Sequence, residues 1–133
     1  MKPITLLIKS TDNSKKIFKE KIQGYKHTCD NIITYEYESS LGKSMIIYHI
    51  NTNHIVIKRN DGYDTQFSIH EKTHSAFTYK SNFIKFEFLV LGNNINFKNG
   101  ELRFNYSLFT DIDDLKANRN IFNKIYMSIE EIT

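Results

Sequence analysis

The stretch from Asn82 to Phe109 constrains the fold more than any other part of the chain. An apolar run (Phe83, Ile84, Phe86, Phe88, Leu89, Val90, Leu91) leads to Gly92-Asn93-Asn94, and the residues that follow turn back on themselves at Asn99-Gly100. Asn-Gly is the preferred pair for a two-residue type I′ turn, because both central residues take positive φ and these two residue types tolerate it. A hairpin centred there pairs Lys98 with Glu101, Phe97 with Leu102, Asn96 with Arg103, Ile95 with Phe104 and Asn94 with Asn105. This register collects the apolar side chains on one face and Lys, Glu, Asn and Arg on the other, and a slip of one residue would turn every apolar side chain outward. The inward positions are even-numbered before Gly92 (Ile84, Phe86, Phe88, Val90) and odd-numbered after it (Ile95, Phe97). That change of parity predicts an inserted residue, a β-bulge or strand break, at Gly92-Asn93-Asn94.

The remainder of the chain repeats the theme of short alternating runs between turn residues. Strands are expected over Ile4–Lys9, Lys15–Tyr25, Ile32–Glu38, Lys43–Ile50, His54–Arg59, Asp64–His70 and Thr73–Lys80, with His27–Asn31 as a loop. Turns fall at Thr11–Ser14, Leu41-Gly42, Asn51–Asn53 and Asn60–Gly62, with a hairpin tip at Glu71-Lys72. After an acidic loop, Asp111–Asn120, a last strand runs from about Ile121 to Ile132. About ten strands in sequential order, with turns every 8 to 12 residues, favour an antiparallel up-and-down β-barrel of about 8–10 strands.

At 133 residues the chain has the length of a single domain, residues 1–133, and can bury a core unaided. Ten Phe, eight Tyr and one Pro tilt the composition toward strands. A net charge of +3, spread along the chain, is too weak and diffuse to point to nucleic acid. The single cysteine, Cys29, cannot form an internal disulfide. No apolar stretch approaches the roughly 18 residues of a membrane span, and the first residues lack the apolar core of a signal peptide. A cytoplasmic protein with no membrane association is the expectation.

Several landmarks in order resemble the YwiB-like family of bacterial domains of unknown function. They are Pro3-Ile4-Thr5-Leu6, Tyr35-Glu36-Tyr37-Glu38 followed by Leu41-Gly42-Lys43, Ile55-Val56-Ile57-Lys58-Arg59 leading to Gly62, and Gln66-Phe67. Tyr79 before Phe83, Leu102-Arg103-Phe104-Asn105-Tyr106 and Met127-Ser128-Ile129-Glu130 complete the set. The correspondence covers nearly the whole chain and rests on order and spacing rather than on one signature. The family has a glycine soon after the aromatic residue that follows its Tyr, whereas here Ile84 follows Phe83. The resemblance implies a calycin-type, lipocalin-like barrel able to hold a ligand, and it implies no activity.

Catalytic and metal patterns fail on context. His70-Glu71-Lys72-Thr73-His74 fits H-E-x-x-H, but zinc proteases need both histidines on one helix face, and here the flanks are strand-like and no third ligand is near. Asp111, Asp113 and Asp114 lack the further ligand and glycine of an EF-hand-type calcium loop, since Leu115 and Lys116 occupy those places. Cys29 with His27 has no orienting third group. No catalytic residue, metal site or cofactor is assigned, and the protein is expected not to be an enzyme.

The candidate ligand-binding residues are those assigned to the barrel interior or mouth: Tyr35, Tyr37, Arg59, Phe86, Phe88, Phe104, Tyr106 and His49. An eight-stranded barrel is either filled by its side chains or holds one small ligand. Arg59 is in phase with Ile55 and Ile57 and points inward near a strand end, where its charge needs a carboxylate or an anionic ligand. His49 is in phase with Met45 and Ile47. The leading expectation is binding of a small apolar or amphipathic molecule inside the barrel, with Arg59 and the Tyr groups orienting it, which requires an interior cavity of at least roughly 300 Å³. The alternative is a protein–protein interaction module with a filled barrel and no ligand, using the exposed face of a hairpin or a strand edge such as an open seam between the first and last strands, in a monomer or weak homodimer. Single-stranded nucleic acid ranks below both, because Glu87 and Glu101 interrupt the basic positions Lys80, Lys85, Lys98 and Arg103 near aromatics.

Overall fold

Alternation of apolar and polar residues makes strands along almost the whole chain. The computed structural model describes residues 1–40, 42–80 and 85–132. Its strands are β1 (Lys2–Thr11), β2 (Ile17–Cys29), β3 (Ile32–Ser39), β4 (Gly42–His49), β5 (His54–Asn60), β6 (Asp64–Ile69), β7 (Ser75–Lys80), β8 (Lys85–Lys98), β9 (Glu101–Phe109) and β10 (Asn123–Ile132). A short helix, α1 (Ile112–Ala117), lies between β9 and β10. The expected positions of Leu41, Phe83 and Ile84 lie outside the described residues.

All ten strands form one antiparallel sheet in the order β6-β5-β4-β3-β2-β1-β10-β9-β8-β7. Strands adjacent in sequence pair with one another, and β1 pairs with β10 from Thr5↔Ile132 to Thr11↔Tyr126. The seam therefore does not lie between the first and last strands. It lies between β6 and β7, the two ends of the sheet, and it is nearly closed. The Gly92 amide donates to the His70 carbonyl at 2.8 Å, and the Ser75 hydroxyl donates to the Ser68 carbonyl. Gly92 is required at this crossing. A Cβ there would stand 2.4 Å from Ile69 Cγ2 and 2.8 Å from the His70 carbonyl oxygen.

The hairpin at Asn99-Gly100 has the expected geometry, with φ of 54° and 74°, and the pairs Lys98↔Glu101, Phe97↔Leu102 and Asn96↔Arg103. Beyond these the register shifts, and Asn105 stands opposite Asn93 instead of Asn94. The bulge thus falls between Asn93 and Asn96, slightly later than the glycine suggests. Asn94 takes the left-handed conformation, φ 52°, which asparagine tolerates. Val90 before the bulge and Ile95 after it are both buried, so the parity changes as expected.

The two largest departures from expectation lie at the end of β2 and in the acidic loop. β2 continues through His27 to Cys29, leaving Asp30-Asn31 as the turn, because His27, Thr28 and Cys29 pair with Thr34, Ile33 and Ile32. The acidic loop contains α1, whose N-cap Asp111 accepts the Asp113 amide at 2.7 Å, with Asp113 and Asp114 in its first turn. This is ordinary capping chemistry.

The core runs through the barrel. Leu6, Ile8, Tyr35, Ile46, Ile55, Ile57, Ile69, Val90, Leu102 and Ile129 are almost wholly buried, and burying each large aliphatic side chain contributes about 1.5–3 kcal/mol. A chain of rings, Phe88–Phe77–Phe67–Tyr106–Phe104, with centroids 4.7–6.3 Å apart, crosses it.

Candidate functional site

Register aligns Gly24, Tyr37, Ser44, Arg59 and Thr65 in a single row across β2 to β6. Alternation with buried Ile55 and Ile57 turns Arg59 toward the interior, as expected, and the nearby strand end leaves it half-buried. Burial raises the Tyr37 hydroxyl above its ordinary pKa, while the Arg59 charge and a hydrogen bond with Ser44 pull it back. Burial also raises Tyr106, again opposed by Arg59 and reinforced by Tyr37. One guanidinium and two phenols from β5, β3 and β9 therefore share an electrostatic neighbourhood. Among the described residues Arg59 makes no ion pair with a carboxylate; the ion pairs are Lys26–Glu131, Arg103–Glu101 and Arg119–Asp114.

A groove of about 770 Å³ opens along this row. Its walls, Tyr25, Glu36, Met45, Lys58 and Gln66 on one side and Glu38, Lys43, Asn60 and Asp64 on the other, alternate with this row and lie on the outer face, whereas Tyr37 and Arg59 turn inward. Register places these walls in the rows flanking Arg59. The barrel centre is crowded by its own side chains, and the groove is lined elsewhere. It lies at one end of β3 to β6.

Four further candidates do not gather around Arg59. Tyr35 is fully buried, but its hydroxyl donates to Glu131 Oε2 at 2.6 Å, and Lys26 Nζ donates to both oxygens of the same carboxylate at 2.9 Å. Burial, then the hydrogen bond and charge of Glu131, push the Tyr35 pKa up. This network ties β2, β3 and β10 together and is structural. Phe104 is buried against Tyr106, and Phe88 is half-buried between Phe77 and Phe122. Phe86 is 50% exposed, which corrects its interior assignment: its phase is inward, but the start of β8 extends past the core.

His49 is corrected as well. In β4 the buried positions are Ile46 and Tyr48, so Met45, Ile47 and His49 share the outer face. There His49 stacks on His54 with centroids 4.2 Å apart, and His54 stacks on His70 at 4.8 Å. The stacked faces leave no convergent lone pairs, and no metal-binding group of His, Cys, Asp or Glu occurs among the described residues. Glu71, the acid of the H-E-x-x-H pattern, accepts the Ile95 amide at 2.8 Å across the bulge, while His74 is exposed. Sequence reasoning missed Ser44 and Tyr25 as groove residues. Counting the row outward from Arg59 would have found Ser44, since hairpin register places it opposite.

Fold and groove together define an all-β, nearly closed up-and-down barrel of ten strands with a groove beside one end. No protein-family model and no curated protein sequence matches the chain. In three dimensions it is similar to the YwiB protein from Bacillus subtilis, known from a crystal structure, with a TM-score of 0.66 and 16% sequence identity over 99% of this chain and 93% of that one. The likeness bears out the resemblance drawn from the sequence landmarks, at the level of fold. No described helix is long and apolar enough to cross a membrane.

Proposed function

We propose that this protein is a non-enzymatic, cytoplasmic binding protein for a small amphipathic anion, held on the inward side of the barrel end beside Arg59, with Tyr37 and Ser44 orienting the charged end. One observation carries the reading: an inward guanidinium, half-buried, flanked by phenols and without a carboxylate partner among the described residues. A charge so placed is stabilised by an opposite charge, and no carboxylate among the described residues forms an ion pair with it. The exposed thiol of Cys29 accords with a reducing compartment.

Anilinonaphthalene sulfonate, an aromatic anion whose fluorescence reports apolar contact, tests the site directly. Binding to the folded protein is expected, weakened about tenfold or more in Arg59→Ala and unchanged in Phe86→Ala. Native mass spectrometry of gently purified protein is expected to show an adduct that Arg59→Ala loses. No binding by the wild type, or equal binding by Arg59→Ala, overturns the proposal. A second reading, as an interaction module, draws support from the edge strands β6 and β7, whose outer sides lack a laddered partner. A clean monomer in size-exclusion chromatography across concentrations would remove it.

A further inference from the structure

An antiparallel strand with one face to solvent is normally apolar inward and polar outward, and β4 departs from that pattern. Its inward residues Ile46 and Tyr48 are buried, yet Met45 and Ile47 on the outer face are apolar as well and only half-buried. Register extends this sideways: Ile47 stands between Thr34 of β3 and Val56 of β5, and Met45 stands between Glu36 and Lys58. The outer face of β3 to β5 therefore has an uncharged centre, with acids on β3 and a base on β5. Tyr25, 49% exposed, ends the Met45 row on β2, and Gln66 ends it on β6. Among the described residues, none of Glu36, Glu38, Lys43 and Lys58 forms an ion pair.

Charges segregated in this way suit a second copy of the chain. A two-fold axis along β4 turns one sheet face onto the other and lays β3 of each copy over β5 of its partner. Glu36 then faces Lys58 of the partner subunit, and by symmetry Lys58 faces the partner's Glu36. Met45 and Ile47 lie on the axis and meet their own counterparts, while Thr34 covers the partner's Val56 and Tyr25 covers the partner's Gln66. Aligned sheets pack about 10 Å apart, a gap that facing Met and Ile side chains fill. Lys43 lies on the axis too, at the margin, with Glu38 directly opposite it in its own sheet to offset the repulsion. An axis across the strands would instead set Glu36 on Glu36 and Lys58 on Lys58, so charge chooses the orientation.

We propose that the outer face of β3 to β5 pairs two copies of this chain about an axis along β4, with Glu36 and Lys58 as the reciprocal ion pair. Arg59 turns to the other side of the sheet, so this contact does not depend on the ligand reading. Five strands about 4.8 Å apart span roughly 19 Å, a footprint at the low end for specific complexes, so the dimer is weak. Sedimentation velocity from roughly 10 µM to 1 mM is expected to show monomer passing to dimer. Glu36→Lys and Lys58→Glu each place like charges in contact on both sides of the axis, and each is expected to weaken association about tenfold or more. Mixing the two variants is expected to restore it, since every substituted side chain then faces an opposite charge. Both variants keep a net positive charge, so bulk attraction does not produce that rescue. A wild type that stays monomeric throughout, association unchanged by either substitution, or a mixture no better than its components would overturn the proposal.

Discussion

Single side chains decide two separate behaviours of this barrel. Tyr35 crosses the core to reach Glu131, and removing its hydroxyl leaves a partly buried carboxylate one donor short. Tyr35→Phe is expected to lower stability by about 1 kcal/mol in urea unfolding, with Lys26 retaining part of the network. A pH dependence follows from the histidine stack. His54 lies below its ordinary pKa because burial disfavours its charge and because His49 and His70 add like charges when protonated. The unfolded chain then binds protons before the folded one, so stability is full above about pH 6.5 and falls as pH drops from there toward the folded value. The unfolding midpoint is expected to be lower at about pH 5.5 than at about pH 7.5, with a smaller difference in His54→Gln. Equal midpoints in the wild type would refute it. The inward phase of Arg59 was legible from Ile55 and Ile57, but the absence of an ion pair to it among the described residues was not, since that depends on strands distant in sequence. His49 was misplaced because β4 is apolar on both faces, Met45 and Ile47 outside and Ile46 and Tyr48 inside, so hydrophobicity alone leaves its phase undetermined.

Among the elements, β8 does the most to shape the molecule. Its bulge changes which face each residue presents, and Gly92 just before it lets the end of β6 approach. Gly92→Ala is expected to cost about 1–3 kcal/mol, because the new methyl group meets Ile69 and the His70 carbonyl together. Unfolding of the variant measures it, and a neutral effect would mean that the crossing has room to relax. Gly100→Ala, at φ 74°, is expected to cost less, about 1 kcal/mol. The hairpin and the existence of a bulge could be read from Asn99-Gly100 and from parity. The residue that bulges could not, because Gly92, Asn93 and Asn94 all accept unusual backbone angles and the choice rests with Glu71 and Asn53 across the seam. Helix α1 did leave a local sign, Asp111 followed by two acidic residues and then Lys116, which suits a capped helical turn as well as a solvated loop.

At the scale of the whole molecule, strength is uneven around the barrel. Ladders join every neighbouring pair of strands except β6 and β7, which are held by the Gly92 and Ser75 hydrogen bonds and by packing. Native-state hydrogen exchange is expected to open this seam first, with amides of β6 and β7 exchanging well before those of β1 and β10. Uniform protection around the barrel would contradict this. Neighbour pairing along the sheet was legible from short turns, whereas the place where the sheet fails to close was not, because turn length says little about whether two connected strands ladder.

One consequence concerns how the molecule could be rewired. Thr5 pairs with Ile132, so the beginning of β1 and the end of β10 lie side by side, while the unladdered edges are joined by residues 70–74. A circular permutant that links the two ends with a short peptide and opens the chain within that connection would run β7 through β10 and on through β1 to β6. Every ladder would then join consecutive strands, and the break in the barrel would coincide with the new termini.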